Sequence, residues 1–359
     1  MPASPEHGAR LAAQVAELVA DAELVILRRV RDRLAAGMDA PAWAETKLAE
    51  LQQLRAALTA DLAALDADLA VAVNETIRRA YTTGQAIAVG DLDDAGVRPG
   101  LPAAQLQSVR TISADVLAIV RGASPVALRA AADAYQEVVA RASSSVLLGA
   151  QTRVQAAQSA LDDLLGRGIT GFRDTAGRNW TLESYVEMAT RTGAGRAAIS
   201  GHLDTLAASG QDLFYPIPGP RACPSCDAWA GKVLSISGGT TSVVADGRRV
   251  DVTPRDVATA DGHLFGPNCR CSTGIYLPGI TVPNVERPDP AGYEAGQEQR
   301  RLERGVREWK RREVLALTPE AARSARLKVS DWQARVRDHL DAHTDLRRAP
   351  RREQIRSAR

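Results

Sequence analysis

The stretch LAELQQLRAALTADLAALDADL, residues 48–69, carries leucine at positions 48, 51, 54, 58, 62, 65 and 69. Steps of three and four residues put all seven on one stripe of an α-helix, which turns once every 3.6 residues. No Gly or Pro interrupts the stretch, and Asp39 ahead of Pro41 supplies an N-cap followed by a proline suited to a first turn. It therefore reads as a long amphipathic helix running on toward Ile87. Its stripe can close on another helix of the same chain or form a seam with a second chain, and the intramolecular hairpin is the expectation.

The same periodicity extends outward. Leu11, Val15, Leu18, Ala22, Ile26 and Val30 mark a helix over 9–34 that Gly37 ends. After a loop at 90–102, residues 103–120 and 125–165 show helical spacing again, with Ser124 placed as a cap before Pro125. Of the 359 residues, only 4% are aromatic, as expected of long helices with thin cores. The fold class is mainly α, and the length suits two or three domains.

The pattern changes at Gly166, Gly168 and Gly171, which suit a boundary. Thr181, with Ser184 three residues on, caps a helix carrying Tyr185, Met188 and Ala189 inward, and after Gly193 and Gly195 a further short helix runs to Leu206. Residues 212–217, 232–236 and 273–277 read as short strands, and 238–262 as an exposed hairpin or insertion. This is a small α+β unit. Four prolines over 278–290 make a stiff connector to a helical tail, in which Thr318 caps a helix with Pro319 in its first turn. The organisation expected is a helical arm at 1–165, a metal-stapled α+β domain at 166–280, and a proline-rich linker with a basic helical tail at 281–359.

The net charge is +2, so no uniform field draws the molecule to a polyanion. Its distribution is uneven: residues 291–359 hold 18 Lys/Arg against 11 Asp/Glu, leaving 27 against 32 before them. Interleaved acids make most of the tail a salt-bridged helix, and the unbalanced end makes Arg347, Arg348, Arg351, Arg352 and Arg356 the candidates for contact with nucleic-acid phosphates. The first residues have no basic and apolar leader, and no stretch of about 18 uninterrupted apolar residues appears, so neither secretion by a signal peptide nor a membrane-spanning segment is expected.

All four cysteines lie within 49 residues. Cys223 and Cys226 form a C-x-x-C knuckle, and Cys269 and Cys271 form a second pair after Gly266-Pro267-Asn268. Two pairs of soft ligands in a reducing cytoplasm point to structural zinc, because Zn²⁺ binds thiolate strongly and accepts a tetrahedral shell. His263 is the alternate fourth ligand, and two disulfides or unliganded thiols are the remaining readings. Four protein ligands close the shell, which opposes a zinc-dependent nuclease or hydrolase, and no H-x-E precedes the knuckle as a nucleotide deaminase needs. No catalytic residue is assigned.

Three segments carry a resemblance. Residues 180–192 (WTLESYVEMATRT), 221–233 (RACPSCDAWAGKV) and 262–271 (GHLFGPNCRC) resemble, in order and spacing, motifs of the phage minor capsid protein 2 family, a relative of the Mu F-like head-morphogenesis proteins. The run at 297–304 also resembles that family's helix after the domain. In the family the last motif position is often His where this chain has Cys271, and both residue types bind zinc. The resemblance implies a non-enzymatic structural protein of a tailed-phage head, made in the host cytoplasm and lying in the capsid interior near the portal. Its implied partners are the portal protein, the major capsid protein and packaged double-stranded DNA.

Overall fold

The computed structural model describes residues 6–100, 102, 105–167, 172–173, 179–219, 222–267, 269–283 and 289–355. Helices dominate the first half: α1 (Glu6–Ala35), α2 (Trp43–Ala49), α3 (Leu51–Asp94), α4 (Gln105–Leu147) and α5 (Arg153–Arg167). Then come β1 (Phe172–Arg173), β2 (Asn179–Trp180), α6 (Leu182–Ala208), β3 (Leu213–Ile217), α7 (Pro224–Asp227), β4 (Val233–Ser235), β5 (Ser242–Ala245), β6 (Arg248–Pro254), α8 (Arg255–Thr259) and β7 (Ser272–Ile275). Two helices close the chain, α9 (Pro290–Leu315) and α10 (Pro319–Ala342). The fold is mainly α with one small mixed sheet, as the periodicities imply.

The chain forms two compact units, each built from three stretches: Met1–Val15, Leu69–Ile119 and Glu187–Glu294 in one, and Ala16–Asp68, Val120–Val186 and Ala295–Arg359 in the other. The first holds a five-stranded sheet in the order β5-β6-β4-β3-β7, antiparallel except for the β4–β6 pair. Asp246 and Gly247, both at positive φ, make the tight turn of the β5–β6 hairpin expected over 238–262. Successive residues of β3 face opposite ways: Phe214 packs with Leu234 against Leu203, Leu206 and Leu92, whereas Leu213 packs with Val233, Val252 and Tyr276. Asp212, just ahead of β3, ties it to the end of β4 and the loop that follows, accepting hydrogen bonds from Ser235 Oγ, Ser237 N and Thr240 Oγ1, each at 2.7 Å. Burial acts to raise its carboxyl, but those bonds outweigh it and hold Asp212 below the usual carboxylate range.

Two expectations fail here, for one reason. Gly193 and Gly195 do not break the chain; α6 runs through both. A Cβ on Gly193 would lie 2.3 Å from Val116 Cγ2, and where α3 crosses α6 a Cβ on Gly84 would lie 1.9 Å from the Ala198 carbonyl oxygen and one on Gly201 2.1 Å from that of Tyr81. These glycines admit a close helix–helix approach, and that packing outweighs their low helix propensity of about 1 kcal/mol each. Pro125 likewise does not start a helix but lies inside α4. Proline there forfeits one backbone bond; the buried residues Val120, Ala123, Ala127 and Ala131 hold the helix through it, and the hydroxyl of Ser124 donates to Asp66 Oδ1 at 3.1 Å rather than capping.

In the second unit the leucine stripe is internal. Leu51, Leu54, Leu58, Leu62 and Leu65 are all buried, and only Leu48, on α2, is half exposed. Thr181 Oγ1 accepts from Ser184 N and Thr318 Oγ1 from Ala321 N, so these two expected caps form. The cap expected at Asp39 does not, because α2 begins at Trp43 behind Ala42, with no side-chain cap bond. Arg311 on α9 reaches Glu183 Oε2 at 2.5 Å and Glu23 Oε2 at 3.4 Å, with both carboxylates largely shielded from water. Among the described residues one helical stretch, Gln107–Leu147, is long and apolar enough by composition to cross a membrane; its residues Ala127, Ala131, Tyr135, Val138 and Ala142 are fully buried in the protein. The glycine-rich boundary at 168–171, and residues 284–288 of the connector with Pro288, lie outside the described residues.

Candidate metal centre

The first thiol pair stands on a single helical turn. Cys223 is the N-cap residue of α7 in an extended conformation, Pro224 takes the first turn, and the Cys223 carbonyl accepts from Cys226 N (3.0 Å) and Asp227 N (3.1 Å). That turn swings Cys226 inward to 1% exposure. The second pair follows a tight loop: Gly262 and Phe265 both have positive φ, and a Cβ on Gly266 would lie 1.7 Å from the Gly262 carbonyl oxygen. The Gly266 carbonyl accepts from Cys269 N at 3.1 Å, and Cys271 enters β7 fully buried. Phe214, Leu234 and Leu264 wall the thiols in.

The sulfur atoms of Cys226, Cys269 and Cys271 all lie within 4.8 Å of one another, and the Cys226–Cys269 separation is 3.6 Å. No disulfide joins them, and the gap is far beyond a covalent S–S length of about 2.05 Å. It is instead close to the edge of a tetrahedron of sulfurs each about 2.3 Å from zinc, roughly 3.8 Å. The donor set therefore fits a thiophilic ion.

The protonation pattern agrees. Hydrogen bonds from Cys226 and Cys271, together with backbone N–H groups of Cys271 and Phe265, overcome burial and hold the Cys269 thiol far below its ordinary value. Cys226 is pushed up by its bonds to Cys269 and Cys271 and by burial. For Cys271 the bond with Cys226 acts downward, but the bond to Cys269, burial and the charges of Cys269 and Cys223 prevail and raise it. Cys269 is thus the thiol most disposed to ionise, and a bound dication would favour ionising the other two.

The two pairs of the sequence motif are brought together with unequal closeness. Cys223 lies outside the tight trio, half buried and packed on the same core, near enough for its charge to act on Cys271. His263 is exposed; its carbonyl accepts from Cys226 Sγ at 3.8 Å and its N–H donates to Asp261. Asn268 of the motif lies outside the described residues. Lys232 Nζ sits 4.5 Å over the Trp229 ring just beyond the knuckle.

Sequence reading missed the polar network behind the sheet. His202, fully buried, lies with Nε2 3.1 Å from Asp91 Oδ2 and Nδ1 3.2 Å from Thr273 Oγ1, while Tyr81 Oη and Ser108 Oγ donate to Asp204 Oδ2 at 2.7 and 3.2 Å. Partners about a hundred residues apart leave no local signal. The tail arginines are engaged as well: Arg348 makes two 2.7 Å bonds to Glu353, Arg351 pairs with Glu17 at 2.9 Å, and Arg352 approaches Glu303 at 3.8 Å. The Arg347 carbonyl accepts from Gln299, and Arg356 lies outside the described residues.

The family model described as phage minor capsid protein 2 matches residues 4–341. No curated protein and no solved structure matches the chain.

Proposed function

Since the chain belongs to the phage minor capsid protein 2 family, we propose that it is a structural protein of the head interior, seated near the portal of a tailed phage and aiding assembly, packaging or ejection of DNA. Family membership makes it a virion-associated protein that assembles with other virion components; the portal and major capsid proteins are the partners proposed. The observation that carries the reading is the extent of the match, which takes in nearly all of both compact units rather than one motif. Function divides along the chain as a docking arm at 1–165, the α+β region at 166–280 and the basic tail at 281–359, even though folding interleaves these segments.

In this reading zinc is a staple. Cys226, Cys269 and Cys271 supply three ligands and Cys223 the fourth, with His263 as its rival. Such an ion cross-links α7 to the loop before β7 and holds the sheet against α6; a shell of four protein ligands leaves no position for water, so the role is structural rather than hydrolytic. The acidic partners of Arg348, Arg351 and Arg352 favour a packing role for the tail over phosphate contact.

Co-purification tests the assembly role. Epitope-tagged protein expressed with the portal and capsid proteins should sediment with assembled heads and crosslink to the portal. Heads that assemble normally, inject normally and contain none of it would refute the proposal.

A further inference from the structure

In the first compact unit, α3 and α4 flank an open groove of about 590 Å³. Apart from two valines its lining is polar: Asn74, Glu75, Arg78 and Arg79 from α3, and Arg110 and Ser113 from α4. Glu75 is shared by two guanidinium groups. It accepts from Arg78 Nη2 at 2.8 Å and Nε at 3.0 Å, and from Arg79 Nε. These bonds fix both forks on the groove while leaving Arg78 Nη1 and the Arg79 Nη groups uncommitted to Glu75. Arg110, on the opposite wall, is exposed and has no carboxylate partner among the described residues. Three guanidinium charges against one carboxylate leave the groove at +2.

A second observation points to a ligand. Ser113 is 3% exposed, yet its hydroxyl has no hydrogen-bond partner. Inside a helix a serine hydroxyl ordinarily bonds the carbonyl four residues back, and a buried unpaired one costs about 1–3 kcal/mol. It lines the groove as a donor left for an incoming acceptor.

We propose that this groove binds the phosphodiester backbone of duplex DNA. Guanidinium forks match phosphate oxygens with two donors each. No aromatic side chain lines the groove, so nothing stacks on bases, and the open shape suits a polymer passing over it rather than an enclosed nucleotide. In the cleft lined by Arg28, Arg29 and Arg33, by contrast, Asp32 and Glu50 also line the wall, and Arg29 is committed to Asp61 through two bonds. The choice of duplex DNA as occupant rests on the capsid reading, whereas the existence of an anion groove does not.

The test is anisotropy of a short random-sequence duplex titrated with the full chain. Wild type is compared with the Arg78→Ala/Arg79→Ala/Arg110→Ala variant and with a tail variant, Arg347→Ala/Arg348→Ala/Arg351→Ala/Arg352→Ala. Loss of three phosphate contacts should lower the salt slope by about 2.7, so that raising salt from about 50 to 200 mM weakens wild-type binding about 40-fold more than the groove variant's. The tail variant should keep the wild-type slope. Arg110→Glu, which breaks no ion pair, must by itself lower the slope by about 0.9, which covers misfolding of the triple variant. An unchanged slope in the groove variants, or polyglutamate binding as tightly as DNA, overturns the proposal. DNA binding lost on groove substitution in a protein that never enters heads would refute the capsid reading and leave the groove standing.

Discussion

Replacing Arg311 by alanine should be among the most damaging single changes in the second compact unit. Its side chain is 16% exposed and its guanidinium holds Glu183 at 2.5 Å and Glu23 at 3.4 Å, whose side chains are themselves 12% and 4% exposed. Burial acts against the Arg311 charge, but the two carboxylates prevail and raise its pKa. Without Arg311, the carboxylate of Glu183 has Arg307 beside it among the described residues, with Nε 3.9 Å away. Two shielded carboxylates would then lose the guanidinium they share. Breaking a buried pair in this way costs about 3–5 kcal/mol, whereas an exposed pair costs about 0.2–1 kcal/mol. At about 2–4 °C per kcal/mol for a unit of this size, the melting midpoint should fall by roughly 6–20 °C. Circular dichroism melts of wild type and variant at neutral pH measure it, with urea titrations as a second readout. The triple variant Arg311→Ala/Glu23→Gln/Glu183→Gln should regain part of the loss, because the shielded carboxylates that shared Arg311 are then neutral. A loss below about 1 kcal/mol, or a triple variant no better than the single, would refute the argument that shielded charge dominates here.

Further outcomes follow from the packing and the thiols. Purified full-length protein should carry about one zinc per chain by elemental analysis, and Cys226→Ser should abolish it; comparing Cys223→Ser with His263→Ala then identifies the fourth ligand by which one loosens the metal. Because ligand thiols must ionise, zinc should be released as pH falls, seen with a chromogenic chelator. Gly84→Ala places a methyl 1.9 Å from a backbone carbonyl on α6, where no side-chain rotation relieves it, so destabilisation should reach or exceed the usual ~1–3 kcal/mol of overpacking in thermal melts. Asp212 has a folded pKa below its unfolded value of about 3.9, so it adds stability that is full above that value and is lost as pH falls through the folded pKa. Asp212→Asn should therefore melt lower than wild type at pH 7, and the gap should narrow as pH falls below the unfolded value of about 3.9.

Much of this architecture was legible in residue spacing. The leucines of 51–69 announced α3, although Leu48 stands on the separate α2 because the helix breaks at Glu50. The strands at 213–217 and 233–235 fell within the runs read as strands, and the one at 272–275 begins one residue ahead of its run. Thr181 and Thr318 capped where side-chain chemistry demands. Local signals suffice where the deciding interaction spans a few residues: a helical face, a two-residue pleat, a hydroxyl three positions from its N–H. The grouping of thiols in two pairs was equally plain, and it pointed to a thiophilic centre.

Only the tertiary structure decided what lies across from each residue. A glycine in a helical run signals either a break or a close approach, and the carbonyls of Ala198 and Tyr81 opposite Gly84 and Gly201 settle which applies. A cluster of arginines at the end of a chain reads as free positive charge until Glu17 and Glu303, hundreds and tens of residues away in sequence, come beside it. Which three of four cysteines stand within a bond's reach of one centre depends on the turn of α7 and the loop before β7. His202 finds Asp91 and Thr273 only because α6 packs between α3 and the sheet. Side-chain identity and spacing set what each residue can do; the partner that makes it do so arrives from a distant stretch of chain, and its arrival is a property of the packed core.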